Sequence, residues 1–140
     1  MSDWVLDASI ALSWLIPDET GEGERSIRYK LTEGATVWVP THWRLEIVHA
    51  LWAAERRKRI DSVGISRAVA WSMKFPVCID PETGERVGHE TLAIARQYNL
   101  SIYDAAYLEL ALRKGAALAT FDKVLKSTAI KLGIPVLPDS

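Results

Sequence analysis

The stretch "NLSIYDAAYLELALRKGAALATFDKVL", residues 99–125, contains a helix, a short strand and the start of another helix in succession. A helix is predicted from Ser101 to Gly115, because glycine readily takes the left-handed conformation that ends many helices. The apolar run "AALAT" (116–120) is typical of a buried strand, and a second helix is predicted from Asp122 to Gly133. This close alternation favours a parallel sheet covered by helices.

The rest of the chain continues the alternation. Further strands are predicted at residues 3–7, 36–40, 76–80 and 134–138, and further helices at 8–17, 24–31, 41–59 and 62–75, with another ending near residue 99. Thr41 and Ser62 are the expected N-caps of the two helices that begin there. Because 140 residues is an ordinary size for one domain, we expect a single α/β domain over residues 1–140 with a mainly parallel central sheet.

Composition narrows the functional classes. The net charge is −1, so nucleic-acid binding would need a local basic patch or a bound metal ion. The single cysteine, Cys78, excludes an intramolecular disulfide and a cysteine-based zinc site, and it is expected to be a small buried strand residue. The N-terminus carries acids where a signal peptide has basic residues, and no uncharged run is long enough to cross a membrane. A cytoplasmic protein is therefore expected.

Three aspartates stand at the ends of predicted strands or the starts of helices. Asp7 follows the first strand, Asp122 follows the strand that ends at Thr120, and Asp104 lies three residues after Ser101. Each could simply cap a helix, since aspartate accepts hydrogen bonds from free backbone N–H groups there. Capping and function are equally compatible with Asp7 and Asp104, whereas capping is favoured for Asp122 when that residue is considered alone.

Glu46 needs another explanation, because it lies inside a predicted helix. At about 100° per residue it shares a face with Trp43, Ala50 and Ala53. There is no basic residue three or four positions after it. An unpaired buried carboxylate is costly, so Glu46 either has a partner from elsewhere in the fold or lies at the exposed edge of this face.

The four acids together predict a metal site. The carboxyl ends of parallel strands meet at one edge of a sheet, where Asp7, Glu46, Asp104 and Asp122 could converge. Four neighbouring carboxylates would repel one another, and a divalent cation would remove that conflict. Oxygen ligands without cysteine suit Mg²⁺ or Mn²⁺, and such a site is typical of phosphodiester hydrolysis.

Four segments carry a resemblance to a known family. They are "VLDASIAL" (5–12), "VPTHWRLEIVHALW" (39–52), "SIYDAAYLELA" (101–111) and "ATFDKVLKSTAIKLGIPV" (119–136). In this order and spacing the chain resembles the PIN-domain nucleases, and within them the VapC toxins of toxin–antitoxin pairs. The resemblance implies a PIN-like α/β/α sandwich and an endoribonuclease that depends on Mg²⁺ or Mn²⁺. It also implies an RNA substrate, a homodimer and inhibition by a small antitoxin protein.

The same resemblance implies roles for individual residues. The catalytic and metal-binding acids would be Asp7, Glu46, Asp104 and Asp122, supported by Ser9, Thr120 and His49. His49 departs from the family pattern, because related sequences often carry asparagine three residues after the helical glutamate. It could replace that hydrogen-bonding side chain or be an ordinary half-buried helix residue.

Some features keep two interpretations. The basic run "ERRKR" (55–59) could contact RNA or an antitoxin, or it could be a solvated helix end. Tyr103 could stack on a base, although packing in the core is favoured. His42 and His89 are predicted to be surface or loop residues, and Glu109 is predicted to face solvent.

Three other functions compete with a toxin. A PIN-like nuclease of RNA processing or DNA cleavage is the nearest of them, and a non-catalytic nucleic-acid-binding module is a second. A Mg²⁺-dependent phosphohydrolase of small molecules is disfavoured. Ser9 stands two residues after Asp7, where one large phosphatase class carries a second aspartate.

Overall fold

Five parallel strands form the central sheet of the computed structural model, which describes residues 3–16 and 34–138. The strands are β1 (Asp3–Leu6), β2 (Thr36–Val39), β3 (Cys78–Ile79), β4 (Ala117–Ala119) and β5 (Val136–Leu137). Their order is β3-β2-β1-β4-β5, so β1 is the central strand. The predicted mainly parallel sheet is confirmed, since each of the described strand pairs is parallel.

Helices connect these strands. Those within the described residues are α1 (Ala8–Leu15), α2 (Trp43–Arg56), α3 (Ser62–Lys74), α4 (Thr83–Arg86), α5 (Leu92–Tyr98), α6 (Ile102–Lys114) and α7 (Lys123–Lys131). A π-helical turn at Val87–Thr91 joins α4 to α5. The helix predicted at 24–31 lies outside the described residues. In the part of the chain that the structure describes, no helix has the length and apolarity needed to cross a membrane.

The strand order places the helices in two layers. From β1 to β2 to β3 the chain moves in one direction across the sheet, and from β3 to β4 to β5 it moves in the other. Because crossovers between parallel strands are right-handed, α1 to α3 cover one face and α6 and α7 cover the other. The chain therefore turns to opposite faces after β1 and after β4, which are neighbours. In such sheets a crevice opens at the carboxyl ends of the two strands where the direction changes.

The hydrophobic core surrounds the central strand. Val5 and Leu6 of β1 are fully buried, as are Trp43 and Ile47 on α2 and Leu108 on α6. Strands covered on both faces carry continuous apolar runs, which explains why "WVL" in β1 shows no polar alternation. This packing holds the carboxyl end of β1 rigidly between α2 and α6.

Two predicted helix caps are wrong. Asp61, not Ser62, is the N-cap of α3, and its carboxylate accepts a hydrogen bond from the Gly64 N–H at 2.7 Å. Thr41 does not cap α2; its hydroxyl donates instead to the Asp80 carbonyl at 3.0 Å. Long-range contacts therefore override the local sequence pattern at the start of α2, and they join this start to the end of β3.

Cys78 and Glu109 differ from expectation because of their tertiary surroundings. Cys78 is exposed, since β3 lies at the edge of the sheet and pairs only with β2. Glu109 is buried, and its Oε2 accepts from Arg113 Nε at 2.8 Å. Arg113 also donates to the fully buried Asp80 at 2.6 Å. This Asp80–Arg113–Glu109 cluster ties α6 to the carboxyl end of β3.

Candidate active site

Asp7 directly follows β1 and lies beside the carboxyl end of β4. Its side chain is only 7% exposed, and its backbone N–H donates to the Ala119 carbonyl at 2.9 Å. Asp7 occupies the N-cap position of α1, yet its carboxylate accepts no hydrogen bond from the helix backbone. Helix capping therefore does not explain this buried acid.

Two hydroxyl groups hold the Asp7 carboxylate. Ser9 Oγ and Thr120 Oγ1 each donate to Asp7 Oδ2 at 2.7 Å. The same hydroxyls accept backbone hydrogen bonds at 3.0 Å, Ser9 from the Phe121 N–H and Thr120 from the Asp122 N–H. The turns after β1 and β4 are thus joined through Asp7 Oδ2, and Oδ1 receives no hydrogen bond from the described residues.

Asp7 is close enough to other acids to interact with their charges. The pKa of Asp7 is raised from 3.8 to about 6, mainly by burial; the hydrogen bonds from Ser9 and Thr120 act to lower this pKa, and the charges of Glu46 and Asp104 act to raise it. A carboxylate that is buried and surrounded by like charge favours a bound proton or a bound cation. Asp7 therefore has the electrostatic character expected of a metal ligand.

Asp104 and Asp122 lie at helix starts, and they differ in how far capping accounts for them. The Asp104 N–H donates to Ser101 Oγ at 3.1 Å, so Ser101, not Asp104, is the N-cap of α6. Burial raises the pKa of the half-buried Asp104 carboxyl, and the charges of Asp122 and Glu46 add to this. Asp122 caps α7, because its Oδ1 accepts from the Leu125 N–H at 2.9 Å.

Glu46 has partners that the sequence pattern missed. The Tyr107 hydroxyl of α6 donates to Glu46 Oε1 at 2.6 Å, and His42 Nε2 lies 3.2 Å from the same oxygen. His42 is half-buried, with its ring edge-on to Tyr103 and Tyr107 at centroid distances of 5.3 and 5.5 Å. His42 stands in the turn before α2, which agrees with the predicted surface or loop position, but its contact with Glu46 was not predicted. Its spacing, four residues before Glu46, was the available signal.

His49 lines a groove beside these acids. It is exposed and packs on Trp52, with 6.3 Å between ring centroids. The groove has a volume of about 550 Å³ and is lined by His42, Leu45, Glu46, His49, Ser101, Tyr103 and Asp104. Tyr103 is 62% exposed on the wall of this groove, so the expected packing of its ring in the core is wrong.

His89 does not line this groove and is exposed, as predicted.

The four carboxylates fit a hard divalent cation by their chemistry. The charge interactions of Asp7 with Glu46 and Asp104, and of Asp104 with Asp122, place them at one edge of the sheet. Within residues 3–16 and 34–138, no three acid, histidine or cysteine side chains are gathered closely enough to hold an ion by themselves. Mg²⁺ is commonly held by one or two carboxylates together with water and substrate phosphate, which this open arrangement allows.

Known proteins of similar sequence and structure share this fold. The chain is 26% identical over 121 residues to ribonuclease VapC3 of Pyrobaculum aerophilum, covering 86% of this chain and 90% of that protein. The crystal structure of PAE2754 from Pyrobaculum aerophilum superposes with a TM-score of 0.68 at 23% identity, covering 96% of this chain and 83% of that one. VapBC2 of Rickettsia felis, solved with a DNA fragment from its promoter, gives a TM-score of 0.62 at 12% identity over 95% and 96% of the chains.

The predicted PIN-like fold is confirmed by these structural neighbours. Residues 4–131 match the model of the PIN domain; this range begins within β1, contains β2 to β4 and includes all four acids. The chain therefore belongs to the PIN domain family.

Proposed function

We propose that this single-domain chain is a Mg²⁺- or Mn²⁺-dependent endoribonuclease, the toxin of a VapBC-type toxin–antitoxin pair. The observation that carries the proposal is the buried Asp7 carboxylate, held by Ser9 and Thr120 and facing the charges of Glu46 and Asp104. The similarity to ribonuclease VapC3 supports RNA as the substrate. The PIN domain supports hydrolysis of a phosphodiester bond.

In this proposal Asp7, Asp104 and Asp122 hold the metal ion, and Glu46 binds a second ion or orients the attacking water. A bound divalent ion would lower the pKa of its water and stabilise negative charge on the phosphate. Ser9 and Thr120 fix the Asp7 carboxylate through Oδ2, so that Oδ1 stays available. Asp122 uses Oδ1 to cap α7, which aims its carboxylate from a fixed helix start.

The proposed partners follow from the same assignment. An antitoxin protein would inhibit the enzyme and a second copy of the chain would form a homodimer, both in the cytoplasm. Support for the antitoxin comes from the VapBC2 complex, whose toxin-like fold this chain shares. Co-expression with the product of a short adjacent reading frame should give a stable complex that no longer cleaves RNA. Active nuclease recovered from such a complex would contradict inhibition by that product.

Cleavage of total RNA by the purified protein tests the nuclease assignment. Wild type is expected to give discrete products with Mg²⁺ or Mn²⁺ and none with EDTA, and Asp104→Asn is expected to be inactive. Glu85→Gln is the matched control, because Glu85 is an exposed acid on α4 outside the site. Cleavage by Asp104→Asn at the control's rate would overturn the site assignment. A folded, partner-free wild type that leaves RNA intact would overturn the nuclease.

A further inference from the structure

One oxygen of Glu46 faces two side chains, Tyr107 from another helix and His42 from the start of its own helix. The Tyr107 hydroxyl donates to Oε1 at 2.6 Å across 61 residues of sequence, and His42 Nε2 lies 3.2 Å from that oxygen. Oε2 receives no hydrogen bond from the described residues. Oε1 is therefore engaged by protein side chains, whereas Oε2 is available to bind a ligand.

Tyr107 can fix Glu46 because Tyr107 is itself enclosed by the core. Its ring is fully buried on α6, one helical turn after Asp104. A hydrogen bond of 2.6 Å between a hydroxyl and a carboxylate is in the range of strong, charge-assisted bonds. Glu46 is about one third exposed, so without such a contact its side chain would sample several rotamers. The bond thus ties the acid on α2 to the helix that carries Asp104.

His42 approaches the same oxygen from the other side. Its ring is packed edge-on between Tyr103 and Tyr107, and its side chain is 15% exposed. The Nε2 atom is buried and makes no hydrogen bond with the described residues, and it lies 3.2 Å from Oε1 of Glu46. His42 therefore contributes a polar ring nitrogen beside Oε1, and the hydroxyl of Tyr107 provides the directional bond.

We propose that Tyr107 and His42 are positioning residues that hold Oε1 of Glu46, so that Oε2 is the oxygen offered to a divalent metal ion. This role rests on the proposed function, in which Glu46 is a metal-site acid. A buried tyrosine also needs an acceptor for its hydroxyl, so a purely structural bond is the competing explanation. If Tyr107 is a positioning residue, loss of its hydroxyl weakens metal binding through Glu46. If the bond is purely structural, loss of the hydroxyl leaves metal binding by Glu46 unchanged.

Mn²⁺ binding measured by electron paramagnetic resonance, without RNA, distinguishes the positioning role of Tyr107 from a purely structural hydrogen bond. Tyr107→Phe keeps the ring and removes the hydroxyl, and it should weaken Mn²⁺ binding by about 10-fold or more. Adding Tyr107→Phe to Glu46→Gln should weaken binding no further than Glu46→Gln alone. Tyr98→Phe is the control, because the Tyr98 hydroxyl contacts only Gln97 at 3.4 Å among the described residues. Unchanged binding in Tyr107→Phe, or additive losses in the double variant, would overturn the proposal.

Two histidine variants provide a second test that does not disturb the core. His42→Phe keeps an aromatic ring and should weaken Mn²⁺ binding severalfold. His42→Gln can place an amide nitrogen near Oε1 and should retain more of the binding. Equal affinities for both variants and wild type would refute the role of His42. Because these titrations contain no RNA, a protein that binds Mn²⁺ in the expected pattern but cleaves nothing would contradict the proposed nuclease while retaining the positioning role.

Discussion

Thr120 Oγ1 donates a 2.7 Å hydrogen bond to Asp7 Oδ2, joining two residues 113 positions apart. The bond joins the turns that follow β1 and β4, where the chain turns to opposite faces of the sheet. Thr120 is fully buried, and its hydroxyl also accepts from the Asp122 N–H at 3.0 Å. This one hydroxyl therefore fixes the positions of Asp7 and Asp122 relative to each other.

Thr120→Val should reduce RNA cleavage by about 10- to 100-fold while the protein stays folded. Valine keeps the shape of the side chain but removes the donor to Asp7 and the acceptor for the Asp122 N–H. Cleavage should rise with pH as Asp7 loses its proton and can bind the metal ion. Loss of the Thr120 donor raises the pKa of Asp7, so this rise should occur at higher pH in the variant. Thr128→Val is the control, because among the described residues the buried Thr128 hydroxyl donates only to the Val124 carbonyl of its own helix. Equal activities of the two variants would contradict the role of Thr120.

Asp7→Asn should abolish cleavage and stabilise the metal-free protein at neutral pH. The folded-state pKa of Asp7 is about 6 against 3.8 for the free group, so the folded state keeps its proton to higher pH than the unfolded state. Stability is therefore lost as the pH rises between these values, by roughly 2–3 kcal/mol. Asparagine avoids this loss. Urea denaturation should show that Asp7→Asn is more stable than wild type above pH 6 and about as stable near pH 3.5. A variant less stable than wild type at pH 7 would contradict the destabilisation of the fold by a buried, ionised Asp7.

Divalent ions should stabilise wild type against heat and leave the Asp104→Asn variant nearly unaffected. A ligand that binds only the folded state adds about 2.7 kcal/mol at 100 times its dissociation constant. Mn²⁺ should thus raise the melting temperature of wild type with concentration, and EDTA should reverse the change. Equal shifts in wild type and in Asp104→Asn would place metal binding elsewhere on the protein.

Arg113→Met should destabilise the fold by about 3–5 kcal/mol at neutral pH, because it leaves Asp80 and Glu109 buried without their cation. Burial acts to raise the pKa of Asp80, but the hydrogen bonds from Arg113 and Thr83 outweigh it and the pKa is lowered. Asp80 therefore stabilises the wild type above its unfolded pKa, and this contribution is lost as the pH falls through the folded pKa. The defect of Arg113→Met should accordingly shrink in acid.

Chemical denaturation of a matched variant provides the control for Arg113→Met. Arg86→Met removes the 3.1 Å ion pair with Glu82, in which both side chains are substantially exposed. Exposed ion pairs contribute little to the free energy of unfolding, so Arg86→Met should unfold at nearly the same denaturant concentration as wild type. Similar unfolding of the two variants would show that the Asp80–Arg113–Glu109 cluster is not the tie between α6 and β3.

Local sequence patterns predicted the elements that position the site. Apolar runs identified β1, β2 and β4, and Gly115 marked the end of α6, which it terminates in the left-handed conformation at φ 60°. The placement of Asp7 and Asp122 after strands was enough to direct them to one sheet edge. These features depend on neighbours in sequence, which is why a pattern can predict them.

Only the tertiary structure decided which side chains meet at that edge. The bond from Tyr107 to Glu46, the contact of His42 with the same oxygen, and the burial of Glu109 against Arg113 each depend on how α6 crosses the sheet. The exposure of Tyr103 depends on it too. Helix periodicity gives the face of a residue but not the partner opposite that face. That partner is set by the crossover, which brings the start of α6 to the start of α2 at the carboxyl edge of the sheet and so joins residues distant in sequence.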